Sequence, residues 1–294
     1  MAVRALAWNV KDGLGEPDRA PVLLDAVERL APDVAGFSEA YAEGADVSNT
    51  VSTLRKLGYT VMHTPYHDTD GRKDRHGLLL AIHEDVLPQQ PSQYPRPLWL
   101  ASRFAIQGTV QDPETGESMT TLLTHLNDRS WAGRNIMLEA YRTQRMAGNM
   151  NGARAILTDA NSADRNDPYS KLMRRAQVLR PFMRPLYRDP DPTVQQSKLM
   201  RKISLGYRTT DMGRDDIVDQ FEADGLRDAD PTHAPTIPAE NPKMRLDHIF
   251  VSKEVHVLSN AVGDFNAEAD HGVYRPASDH LYIMSDLLVI GRQA

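Results

Sequence analysis

Six short apolar runs between residue 5 and residue 283 each carry a polar side chain at one end. Asn9 follows Ala5-Leu6-Ala7-Trp8, and Glu39 comes after Val34-Ala35-Gly36-Phe37. His125 follows Leu122-Leu123-Thr124, while Asp159 and Asn161 come after Ala155-Ile156-Leu157. Asp247 precedes Ile249-Phe250-Val251, and Asp279-His280 precedes Leu281-Tyr282-Ile283. Apolar runs this short, bounded by polar residues, read as buried strands. The chain must therefore gather strand ends at one rim if the polar set is to act together. Carboxylates, carboxamides and imidazoles are the groups that hold a hard divalent cation, grip a phosphate and activate a water.

Taken singly, each position has an ordinary use. An asparagine after a strand is a turn or cap residue, and a carboxylate after an apolar run is a solvated loop residue. A Thr-His-Leu histidine is one satisfied by a backbone carbonyl in the core, and Asp247 is a cap or salt-bridge partner. The ordered combination is what points to chemistry.

Short apolar runs alternate with segments of helical period, which predicts an α/β or α+β architecture. Val22, Leu23, Ala26, Val27 and Leu30 share a helical face after Pro17, and Val47, Val51, Leu54 and Leu57 do so before Gly58. Further helices fit 131–150 and 215–225. Strands are expected at 59–64, 77–83, 104–110 and 119–125, the last two joined as a hairpin by Asp112-Pro-Glu-Thr-Gly116. Proline-rich stretches at 88–97 and 231–242 read as rigid surface loops, too short for linkers. A single domain over 1–294 is the economical reading.

The chain is 294 residues long and 40% hydrophobic, enough for a sizeable core. No stretch reaches the roughly 18 to 20 consecutive apolar residues of a membrane span. Met1-Ala2-Val3-Arg4 leads directly into a strand-like segment, so a cytoplasmic protein is expected. The absence of cysteine excludes disulfides, thiolate zinc sites and cysteine nucleophiles. His63 and His67 have i, i+4 spacing, but Pro65 between them excludes a helical zinc pair. His76, His83, His233 and His271 read as loop or surface residues.

The motifs, in their order, resemble the endonuclease/exonuclease/phosphatase superfamily, the DNase I-like group. The matching stretches are Leu-Ala-Trp-Asn-Val, Pro-Asp-Val-Ala-Gly-Phe-Ser-Glu-Ala, Leu-Leu-Thr-His-Leu, Ile-Leu-Thr-Asp-Ala-Asn, Arg-Leu-Asp-His-Ile-Phe-Val-Ser and Ser-Asp-His-Leu. The resemblance implies a four-layer sandwich, two mixed β-sheets face to face with helices outside, and an active site along one rim. It implies a Mg2+ ion, replaceable by Mn2+, held by Glu39 with Asn9 and Asp279. It implies that Asp247 orients His280, which contacts the scissile phosphate or takes a proton. Asp159 would orient or deprotonate the attacking water, Asn161 would donate to the phosphoryl oxygen, and His125 would be a second phosphate donor. The proton acceptor is Asp159 or His280. Arg103 matches a family arginine at the start of a strand and is a candidate phosphate contact. Ser38, Thr158 and Ala160 depart from the family's usual glutamine, glycine and phenylalanine-like residue, and such neighbours shape substrate preference.

The net charge is −6, yet eleven basic residues against three acidic ones lie between Arg165 and Arg208, a local +8. This segment, a basic helical insert at about 162–214, interleaves Tyr169, Phe182, Tyr187 and Tyr207 with its cations. Such a composition favours a polyanion with bases to stack. Arg174, Arg175, Arg201 and Lys202 are its candidate phosphate contacts, and a nucleic acid is the expected partner. The expected activity is metal-dependent phosphodiester hydrolysis, with an inositol polyphosphate or lipid head-group phosphatase as the alternative and a non-catalytic nucleic-acid-binding module as a third.

Overall fold

Among the described residues, the strands fall into two sets of six. The first comprises Val3–Asn9 (β1), Val34–Ser38 (β2), Tyr59–His63 (β3) and Leu79–His83 (β4) with two late strands. The second opens with Arg96–Leu100 (β5), Arg103–Gln111 (β6), Ser118–His125 (β7) and Ala153–Asp159 (β8). Leu226–Asp228 (β9) and Asp247–Ser252 (β10) complete the second sheet, and Val255–Gly263 (β11) and Tyr282–Val289 (β12) complete the first. Among the described residues, the α-helices are Ala20–Leu30 (α1), Ser48–Lys56 (α2), Arg134–Asn149 (α3) and Asp216–Ala223 (α4). The computed structural model describes residues 2–42, 44–64, 76–88, 96–100, 103–126, 134–150, 152–160, 216–232, 234–237, 245–263, 278 and 280–290.

The sheet orders are β11-β12-β1-β2-β4-β3 and β5-β6-β7-β8-β10-β9. Both sheets are mixed: β1–β2 and β7–β8 are parallel, while β1–β12, β2–β4 and β8–β10 are antiparallel. Period-two alternation gives each sheet two apolar faces. Val3, Ala5 and Ala7 of β1 share one buried cluster with Leu123, Leu157 and Ile249 of the opposite sheet. Leu6, Trp8 and Phe37 face the other way and pack with Leu23 and Val27 of α1 and Leu54 of α2. On the far side, Ile156 and Phe250 pack with Val218 and Phe221 of α4 and Ala147 of α3. The result is helix, sheet, sheet, helix. Close approach of the sheets needs Gly36 in β2, where an added Cβ would meet Leu123 Cδ1 at 2.9 Å and Leu157 Cδ2 at 3.1 Å. Overpacking of this kind costs about 1–3 kcal/mol.

Most expected elements form within a few residues of their predicted bounds, including the β6–β7 hairpin, whose turn places Asp112 Oδ1 on the Glu114 N–H at 2.8 Å. Residues 88–97, read as loop, differ in that β5 begins at Arg96 and includes Pro97. β5 is an edge strand, a sheet position that tolerates a proline. β9 and β11 are not among the expected strands, and 231–242, read as a surface loop, carries the fully buried Thr236. The basic insert at 162–214 lies outside the described residues. Among the described residues, no helix is long and apolar enough to cross a membrane.

Candidate active site

The polar rim forms where the inter-sheet faces leave the core. Asn9 is in phase with Ala5 and Ala7, His125 with Leu123, Asp159 with Ala155 and Leu157, and Asp247 with Ile249 and Val251. Each polar residue continues an inward face at a strand end. Strand register then lines them up: His125 stands beside Asp159 across β7–β8, and Asp247 stands opposite Asp159 across β8–β10. On the other sheet Asn9 is level with Ser38.

Side chains close the gap between the sheets. Asn9 Nδ2 donates to Asp159 Oδ2 at 2.8 Å, and Asn9 Oδ1 accepts the Lys11 N–H at 3.0 Å. His125 Nε2 lies 3.6 Å from both Glu39 Oε1 and Asp159 Oδ2, longer than a hydrogen bond. His280 Nδ1 is 2.7 Å from Asp247 Oδ2, and both side chains are buried. An ionised carboxylate only accepts, so Nδ1 carries the proton and Nε2 is the basic ring nitrogen.

Glu39 departs from the alternation. It follows the inward Ser38, so an extended backbone would aim it at the helix layer. Its φ of 45° is left-handed, and the carboxylate instead reaches His125 of the opposite sheet. That conformation costs a non-glycine residue about 1–2 kcal/mol, so neighbouring contacts must hold it.

Several residues without an assigned role in the sequence reading position the site. Trp8 Nε1–H donates to the His280 carbonyl at 2.9 Å. The Ser278 hydroxyl donates to the Asn9 carbonyl at 2.6 Å and accepts the His280 N–H at 3.1 Å. Buried Thr236 spans both halves of the Asp247–His280 pair. Its carbonyl accepts the Leu281 N–H at 2.8 Å, and its Oγ1 accepts from Leu246 at 3.2 Å and Asp247 at 3.4 Å. Arg245, fully buried beside this segment, donates to Asp228 Oδ1 at 2.9 Å, to Asp230 Oδ2 at 2.5 Å and to the Ala234 carbonyl at 3.1 Å. Burial alone would raise the Asp228 carboxyl, but Arg245 and His248 hold it below the ordinary aspartate range. For Asp230, burial is likewise outweighed, by the Thr232 hydroxyl and Arg245. Arg245 falls inside the Arg-Leu-Asp-His motif, and that position two residues before Asp247 was the available signal.

The histidine expected as a plain loop residue, His76, pairs with Asp12 across 64 residues of sequence, Nδ1 to Oδ1 at 2.7 Å. His83 ends β4, as the strand expected at 77–83 places it, and caps the N–H of Asp85. Asn161 and Asp279 lie outside the described residues, as do Arg174, Arg175, Arg201 and Lys202. Arg103 opens β6 opposite Leu100, and its side chain lies outside them too.

The donor set suits a divalent cation. Asp159 and Asp247 are both almost wholly buried and stand directly opposite each other, a like-charge placement that destabilises a sheet. One ligand atom from each of Asp159, Asp247 and His280 falls within 4.8 Å of the others. A cation held beside them by Glu39, which faces His125 Nε2 as Asp159 does, would offset that repulsion.

Residues 6–286 match the Endonuclease/Exonuclease/phosphatase family. The chain belongs to this family. Family members include nucleases, phosphatases and phosphodiesterases. The fold superposes on the human Nocturnin catalytic domain with bound sulfate at a TM-score of 0.58, with 15% identity over 98% of this chain and 93% of that one. Bacteroides thetaiotaomicron mannosyl-6-phosphatase matches at a TM-score of 0.58, with 16% identity over 98% of this chain and 100% of that one. Humanized D. rerio TDP2 matches at 0.58, with 15% identity over 98% of this chain and 99% of that one. At such identities the likeness is one of fold. No curated protein matches the chain in sequence.

Proposed function

We propose that the protein is a divalent-metal-dependent phosphodiesterase, a nuclease hydrolysing DNA or RNA through an activated water. The observation that carries this reading is the register of Asp159 against Asp247, with His280 closing the cluster. Glu39, with Asn9 and Asp279, would hold a Mg2+ or Mn2+ ion, which would supply charge neutralisation on the phosphate oxygens. His280, fixed at Nδ1 by Asp247, presents Nε2 to the phosphate or to a moving proton. Asp159, with one oxygen held by Asn9, orients the attacking water with the other. His125 and Asn161 donate to the phosphoryl oxygens as negative charge grows there. The basic insert supports a nucleic acid as the substrate, through Arg174, Arg175, Arg201 and Lys202 with Arg103.

A second reading, a phosphatase for inositol polyphosphates or lipid head groups, has the same donors in its favour. They act on the phosphate whatever alcohol it esterifies, and a mannosyl-6-phosphatase superposes as well as TDP2 does. A non-catalytic binding module is the weaker reading, because two opposed buried carboxylates cost stability and serve no purpose in one. The deciding experiment assays single- and double-stranded DNA, RNA and an inositol polyphosphate with Mg2+, Mn2+ or chelator. Polynucleotide cleavage that stops in chelator is the expected result. Turnover of the inositol polyphosphate alone would replace the nuclease reading with the second one.

A further inference from the structure

Among the described residues, Lys11, Asp12, Ala31 and Glu39 are the non-glycine residues with left-handed backbone, at φ 43°, 65°, 44° and 45°. Ala31 ends α1, an ordinary use of that conformation. The other three meet at one place. Strained backbone persists only where surrounding contacts over-determine it, and those contacts form a closed ring here. The Asp12 N–H donates to the Glu39 carbonyl at 2.5 Å, and the next N–H along, that of Ala40, donates to the Gly77 carbonyl at 2.8 Å. The residue before Gly77 is His76, whose Nδ1 returns to Asp12 Oδ1 at 2.7 Å. The ring runs through the Glu39–Ala40 peptide, and Asp12–His76 is its side-chain link.

Adjoining ladders stiffen the ring without completing it. The Val10 N–H donates to Ser38 at 3.0 Å, the Leu14 N–H to Ala40 at 3.0 Å and the Gly77 N–H to Tyr41 at 2.8 Å. The Tyr41 ring packs directly on Gly77, in the space that a Cβ there would need. The same turn begins at Asn9, whose Oδ1 accepts the Lys11 N–H. Asp12 and His76 are 20% and 23% exposed, and their hydrogen bond joins segments 64 residues apart. It lies across the turn that re-aims Glu39.

We infer that the Asp12–His76 pair is a positioning clasp for Glu39, holding the left-handed turn that swings its carboxylate into the rim and thereby setting the affinity for a divalent cation. The inference rests on Glu39 being a cation ligand.

Mn2+ alone, titrated calorimetrically into the full chain, reads the clasp without any substrate. His76→Ala is expected to weaken Mn2+ binding by about 10- to 100-fold, the range for partners that orient metal ligands. His76→Asn, whose side-chain N–H can stand near the position of Nδ1, should recover most of it. Asp12→Gly should weaken Mn2+ binding equally while the melting temperature holds or rises, because glycine adopts φ 65° without strain. The double variant should lose no more than either single one. Wild-type affinity in both His76→Ala and Asp12→Gly overturns the clasp. So does weak binding in Asp12→Gly beside normal binding in His76→Ala, since Asp12 would then be a ligand itself. A wild-type chain that takes up no Mn2+ overturns the clasp together with the ligand reading of Glu39. Normal Mn2+ uptake without hydrolysis removes the nuclease reading alone, and the variants still decide the clasp.

Discussion

His280 Nδ1 lies 2.7 Å from Asp247 Oδ2, although β11 and its flanking segments separate the two residues in sequence. The pair joins the two sheets: Asp247 opens β10 of one, and His280 leads into β12 of the other. Any change that shifts one sheet against the other at this rim therefore acts on the pair. His280→Ala is expected to lower kcat by about 10²- to 10⁴-fold, and Asp247→Asn by a similar or smaller factor through loss of the fixed tautomer. The double variant should be scarcely worse than the poorer single one, because residues acting as a unit are not additive. Steady-state kinetics on the three proteins check this, and fully multiplicative losses would mean that the two act apart.

Thr236 touches backbone on both sides of that pair, so its hydroxyl should matter to turnover and little to ground-state binding. Thr236→Val keeps the shape and removes the acceptor of the Leu246 and Asp247 N–H groups. A drop in kcat of about tenfold at nearly constant KM is expected, with Thr236→Ser close to wild type. In a His280→Ala background the valine should add no further loss. A full further loss there would show that Thr236 serves general packing instead.

Acid should weaken this corner of the molecule. The carboxyls of Asp228 and Asp230 titrate below the ordinary aspartate value despite burial. A depressed carboxyl contributes stability above its unfolded pKa of about 3.9 and loses that contribution as pH falls through the folded value. Melting temperature should therefore decline as pH drops below about 5. Asp230→Asn leaves buried Arg245 with one fewer anionic partner and should cost on the order of 3 kcal/mol at neutral pH. Its melting temperature should also fall less steeply on acidification, and a slope equal to wild type would contradict the assignment.

The rim was legible in the sequence for a physical reason. Asn9, His125, Asp159 and Asp247 sit in phase with inward apolar residues, so the period-two pattern that identifies each strand also sets the face of its polar end. Glu39 was legible by position only, because nothing in the sequence marks a glutamate as left-handed. Of the strands left unread, β5, β9 and β11 are all sheet edges. An edge strand is partly solvated and need not keep a clean apolar alternation. β11 breaks its own with a register shift between Val257 and Ser259. The clasp between Asp12 and His76 had no local signal either, since the two meet only after β2 and β4 have paired.

Removing the charge of Glu39 while keeping its volume isolates its part in cation use. Glu39→Gln should fold as wild type yet need a much higher Mg2+ concentration for half-maximal activity, and excess chelator should abolish activity in both. Initial rates across a Mg2+ series make the comparison. Wild-type turnover by the glutamine variant at limiting Mg2+ would remove Glu39 from the ligand set.

The basic insert is best tested through salt, since contacts to a nucleic acid backbone displace counterions whether or not they lie near the bond being cut. Reversing Arg174, Arg175, Arg201 and Lys202 to glutamate should raise KM strongly and change kcat much less. Each lost phosphate contact should also shallow the slope of log affinity against log salt by about 0.7 for single strands and about 0.9 for duplex DNA. If all four residues touch phosphate, the slope changes by roughly 3 to 4 units, well outside measurement error. A solvated helical face would leave the slope where it was. In that case the substrate reading moves to a small phosphate ester, whose binding depends on the rim residues and Arg103 instead of on the insert.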